Sequence, residues 1–167
     1  MSDNDFQKIM HLSERELALG HLDYARELVV NLCAHLSDEQ ARIKLVSSKT
    51  TPMGIVRHLI VAVEQFWFRY ILTGGARADD WANDADDDPD WDVDGLSLQA
   101  LIDTYNATCA ESNSLIGNVD FSATAVHEWQ GAFVSLRWIV LHMIHETAQH
   151  CGHLDILVEQ IEESLQK

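Results

Sequence analysis

Residues 135–164 read SLRWIVLHMIHETAQHCGHLDILVEQIEES, and this stretch decides the fold. Leu136, Ile139, Val140, Met143, Thr147, Leu154, Leu157, Val158 and Ile161 recur at the spacing of one face of a helix, with Gly152 as the only break in propensity. A helix from about Ser135 to Ser164 with a single apolar stripe must bury that stripe against other elements. Outward from it, three more helical patterns appear. One runs from about Ser13 to His35, with Leu17, Tyr24, Leu28, Leu32 and Cys33 near helical spacing. A second starts where Thr51 caps and Pro52 takes the first turn, then runs from Met53 to Leu72 before Gly74-Gly75 stops it. It is apolar nearly all round and belongs in the interior. A third spans about Ser97 to Ile116, with Leu98, Leu101, Ile102, Tyr105 and Cys109 on one face and Gly117-Asn118 as its end. Residues Asp120 to Gly131 read as irregular or briefly extended. No stretch alternates at period two and no repeat is visible, so the predicted fold is an all-α four-helix bundle, one domain over residues 1–167, with a long acidic crossover between the second and third helices.

Composition agrees. The 167 residues are 47% hydrophobic, enough for one substantial core. The net charge of −16, with only 11 Lys and Arg, excludes a phosphate-neutralising nucleic-acid surface. No early basic start followed by an apolar run is present, because Glu14, Arg15, Glu16, His21, Asp23 and Arg26 interrupt the first apolar segment. A protein that is neither exported nor inserted in a membrane is expected. Cys33, Cys109 and Cys151 are an odd number without CxxC spacing, which fits a reducing cytoplasm and not a disulfide framework. Much of the acidity lies between Asp79 and Asp94, around Trp81, Pro89 and Trp91. It lacks the central glycine and terminal glutamate of a calcium loop and reads as a solvated crossover.

The chemistry-bearing residues concentrate in the last helix. Four of nine histidines, His142, His145, His150 and His153, surround Glu146 there. Glu146 and His150 are four apart, so both side chains project from one face at the edge of the apolar stripe, where one ion can take both. Alone, such a pair is more often a surface hydrogen bond, but His142 and His153 on the same side weigh toward ligation. His145 projects away from the stripe and is set aside. His145-Glu146 begins an HExxH motif that Gln149 breaks, and no Glu-x-x-His pair exists for a ferritin-like di-iron site. On the apolar second helix His58 stands out between the small residues Gly54 and Ala62, which leave space beside its ring. It is a third donor or a hydrogen-bonded core histidine.

Three segments together carry a resemblance: Thr51-Pro52-Met53-Gly54-Ile55-Val56-Arg57-His58-Leu59, Ser135-Leu136-Arg137-Trp138, and His142 through Asp155. The chain resembles the DinB/YfiT-like superfamily of metalloenzymes, and within it the branch similar to the metal-binding domain of mycothiol-dependent maleylpyruvate isomerase. The resemblance covers nearly the whole chain. It implies a four-helix bundle with a divalent metal, zinc or sometimes nickel, on His58, Glu146 and His150. Glutamate at 146 matches the isomerase branch, where many other members have histidine, and Arg57 and Trp138 match positions common there. The isomerase carries a further C-terminal domain for which 167 residues leave no room, so isomerase activity is not expected.

Three N/O ligands leave a coordination position open, the arrangement of catalytic zinc. The branch implies a low-molecular-weight thiol such as mycothiol, bacillithiol or glutathione joined to an electrophile. With water in place of thiol the same site is a metal-dependent hydrolase, and without a functional metal the bundle is a stress-associated binding or dimerisation module, a homodimer among its options. His142, His153 and Arg57 are candidates for the pocket wall, Arg57 by reaching a substrate carboxylate or by pairing with the acidic surface. Cys151 projects to the far side of the stripe from Glu146 and is expected to be a buried, unreactive thiol.

Overall fold

In the computed structural model, which describes residues 12–77 and 91–165, the predicted helices are present and pack as an all-α bundle. Helix α1 (Glu14–Cys33) begins with a capping box in which the Ser13 hydroxyl accepts from the Glu16 amide and the Glu16 carboxylate accepts from the Ser13 amide. A short α2 (Asp38–Ala41), too brief for any periodicity to show, is capped the same way by Ser37 and Gln40. Helix α3 (Pro52–His58) starts on Thr51, whose hydroxyl accepts from the Gly54 amide at 3.0 Å.

At His58 the chain does not stay α-helical. Leu59–Leu72 continues as a π-helix. The apolar pattern cannot reveal this, because a segment apolar on nearly every side looks the same whatever the number of residues per turn. Helices α4 (Leu98–Ile116) and α5 (Leu136–Leu165) complete the bundle. Helix α1 packs along α5, and α4 packs against the π-helix, so the core lies between these two pairs. Leu22, Val29, Leu59, Phe68, Tyr105, Leu136, Ile139, Met143 and Leu154 are among its buried members.

Before α5 the chain makes a small hairpin. Thr124 bridges Ser135 and Trp129 bridges Ala132, with Gln130 and Gly131 both at positive φ in the turn between them. Such a pair of positive φ angles matches the twist of the flanking strands. The amides of Val126 and His127 donate to the Ile71 carbonyl, which ties this hairpin to the end of the π-helix. Among the described residues no helix is long and apolar enough to cross a membrane. Residues 79–90 of the acidic crossover lie outside the described residues, and its end, Trp91 to Asp94, lies within them.

The core also holds a charge pair that crosses between helices. Arg26 of α1 and Glu64 of the π-helix, 5% and 0% exposed, meet in a bidentate contact at 2.8 and 2.7 Å. Arg26 is completed by Asp23 and by the Asn113 side-chain oxygen, both at 2.8 Å. Burial works against the Arg26 charge, but the adjacent Glu64 carboxylate outweighs it and raises the guanidinium pKa.

Candidate metal centre

Helix α5 places His142, Glu146 and His150 one turn apart on a single face. The His142 Nε2 atom lies 3.9 Å from Glu146 Oε1, and His150 Nε2 lies 4.0 Å from Glu146 Oε2, so the carboxylate turns one oxygen toward each imidazole. His58, the last residue of α3, arrives from another helix, its ring centroid 4.9 Å from that of His150 and the two planes at 59°. His150 therefore sits between His58 and Glu146. It is 12% exposed, and its Nδ1 atom is buried with no hydrogen-bond partner.

That orphaned nitrogen is a cost unless something takes its lone pair or its proton. Burial, with His58 and His153 adding to it, lowers the His150 pKa to about 4, so the ring is neutral at pH 7. Neutral imidazole is the form that binds a metal. Two imidazoles from different helices and one carboxylate fit the donor preferences of zinc, and nickel accepts the same set.

The depressed His150 pKa has a measurable consequence in metal-free protein. Between about pH 6.5 and 4 the unfolded chain protonates this ring while the folded chain does not, so stability is full above that window and falls as pH drops through it. The expected loss attributable to His150 is on the order of 1–2 kcal/mol by pH 5. Thermal melting of chelator-treated protein at pH 7.5 and 5 checks this against His150→Gln, whose melting temperature should fall less. Equal falls in the two proteins would remove His150 as the cause.

The space that Gly54 leaves beside His58 is occupied, which corrects the expectation of an open approach there. Trp91 stacks on the His58 ring at 4.9 Å and 15°, and a Cβ on Gly54 would stand 3.0 Å from Trp91 Cε3 and 3.1 Å from Thr51 Oγ1. Half-buried Trp91 thus docks on the site, where the sequence suggested only a solvated crossover. Arg57 Nη1 donates to the Asp92 carbonyl and anchors the same segment. No signal along the chain marks the pairing of Trp91 with His58, because 33 residues separate them and the contact is purely tertiary.

The remaining α5 histidines differ in setting. His142 is half-buried between Trp67 and Trp138, each ring 4.8 Å away, and desolvation lowers its pKa, with Glu146 opposing and His145 reinforcing the shift. His153 is exposed, 5.6 Å from His150 ring to ring, at the edge of a groove of about 340 Å³ between the 46–50 segment and α5. Val46, Ile156 and Leu157 give that groove an apolar lining. His145 is 71% exposed, as its register predicts, yet its Nδ1 lies 3.9 Å from Glu146 Oε1. The donor atoms of His142, His145 and Glu146 all fall within 4.8 Å of one another, a grouping to which His58 and His150 do not belong. His145 thus lies close to Glu146 although its register points it away from the apolar stripe. Cys151, next to His150, is buried; its thiol donates to the Ala25 carbonyl at 3.3 Å, and burial raises its pKa to about 11. It holds no thiolate at neutral pH.

A family model described as mycothiol-S-transferase matches residues 18–163. No curated protein and no solved structure matches the chain.

Proposed function

The chain belongs to the mycothiol-S-transferase family, and from that membership we propose that it transfers a low-molecular-weight thiol, mycothiol first among them, to an electrophile at one divalent ion held by His58, Glu146 and His150. The observation that carries this reading is the approach of His58 from α3 to within 4.9 Å of His150, ring to ring, beside the Glu146 carboxylate. A zinc or nickel ion bound there would supply Lewis acidity that lowers the pKa of a thiol beside it.

The protein's own residues divide the rest of the work. His58 and His150 would offer two imidazole nitrogens and Glu146 a carboxylate oxygen to a divalent ion. Trp91 covers the His58 ring and excludes water from that side. His153 stands between the donors and the apolar groove, where the electrophile's apolar body fits against Val46, Ile156 and Leu157. The thiol proton passes to water and the sulfur forms the new bond to carbon; in a substitution the carbon's bond to the leaving group breaks and the group departs with the electron pair, and in an addition the double bond opens and its far carbon takes up a proton from water. No protein nucleophile is needed, and Cys151, protonated and facing the Ala25 carbonyl, is not one. Three free cysteines suit a reducing cytoplasm as the place of action.

Conjugation of mycothiol to a model electrophile tests this. Activity should vanish on chelation, return with one equivalent of zinc or nickel, and survive Cys151→Ser. Undiminished turnover by metal-free protein, or its loss in Cys151→Ser of wild-type stability, would refute the proposal.

A further inference from the structure

Glu146 is placed to serve two ions. Its Oε2 atom faces His150, and its Oε1 atom faces both His142 and His145 at 3.9 Å. We propose that His142, His145 and Glu146 Oε1 form a second, outer site for a divalent transition-metal ion, with the Glu146 carboxylate bridging it to the inner ion.

Residues i, i+3 and i+4 are mutual neighbours on a helix surface, so these three donors converge without any tertiary rearrangement. Their atoms lie within 4.8 Å of one another and have only to close in by fractions of an ångström to reach one ion at about 2.0–2.2 Å from each. His142 is already fixed by Trp67 and Trp138, which removes most of the ordering cost of one ligand. His145 is exposed, and the site opens to water there, so the outer ion binds more weakly than one held by donors from two helices. Two imidazoles with one carboxylate select zinc, nickel, cobalt or copper over magnesium and calcium. The net charge of −16 raises the local concentration of any such cation.

The inference rests on the inner site only through the shared Glu146, and metal titration separates the two. Untagged, metal-free protein is titrated with zinc by calorimetry, and bound metal is counted after equilibrium dialysis at graded zinc concentrations. The expected curve has two phases, one tight and one at least 10-fold weaker, approaching two ions per chain. In His145→Ala, which alters only an exposed side chain, the weak phase should disappear and the tight phase stay. In His58→Ala the tight phase should disappear and the weak phase stay, and Glu146→Gln should impair both. Saturation at one ion per chain in the wild type overturns the outer site. So does loss of the same single phase in both His145→Ala and His58→Ala, which would place all the donors around one ion. Absence of the tight phase with the weak one intact would instead refute the inner-site reading and leave this one standing.

Discussion

His150→Ala is expected to abolish stoichiometric retention of the tight metal ion and to lower thiol-transfer activity by more than about 100-fold, beyond the roughly 10- to 100-fold that loss of a supporting residue costs. The reason is position: His150 is the donor that neighbours both His58 and Glu146, so its removal leaves the other two without the group between them. His153→Ala is the comparison, since that ring lies 5.6 Å from His150 at the groove edge and should cost at most about 100-fold while the ion stays bound. Metal content of untagged protein after dialysis, measured for both variants beside the wild type, reads the difference. One tight equivalent still bound by His150→Ala would contradict the assignment.

The second large effect is on stability. Glu64→Ala should destabilise the protein by about 3–5 kcal/mol, because it leaves the Arg26 guanidinium buried without its bidentate partner. Asp23 and Asn113 remain on the Arg26 Nη1 atom, but neither reaches the two nitrogens that Glu64 satisfies. Replacing both partners with apolar residues, Arg26→Met with Glu64→Leu, should recover much of the loss, since the desolvation cost goes with the charges. Urea unfolding of metal-free protein measures both variants beside the wild type. A loss below about 1 kcal/mol in Glu64→Ala would mean that water replaces the carboxylate and that the pair is not sealed in the core.

This ion pair also shows where sequence reading stops. Arg26 looks like one more charge interrupting an apolar pattern, and Glu64 like an exception on an apolar helix; only the assembled bundle brings the two side chains together across the core. The elements themselves were legible where a stripe and its caps coincide, as for α1 with Ser13, α4 with Ser97 and Gly117, and α5 with its thirty residues. The π-helix after His58 was not, because uniform apolarity carries no phase. Within the site, the closeness of Glu146 to His150 follows from helical register alone. The approach of His58 to His150 does not, since periodicity cannot bring two helices together: a lone histidine on an apolar helix makes His58 a candidate donor, and only the family resemblance joins it to Glu146 and His150. Trp91 and the half-buried face of His142 between Trp67 and Trp138 were invisible for the same reason. The distance between His145 and Glu146 depends on rotamers, and register gives only a direction.

The claim that the metal activates a small thiol is tested most directly by spectroscopy on cobalt-substituted protein. The cobalt form, loaded to one equivalent, is titrated with mycothiol, bacillithiol and glutathione while the near-ultraviolet spectrum is followed. The account predicts that mycothiol produces the charge-transfer band of a cobalt–sulfur bond, saturating at one thiol per chain and absent in His58→Ala. No band from any of the three thiols, together with metal-dependent hydrolysis of an ester or amide by the same protein, would contradict it and assign the site to a hydrolase.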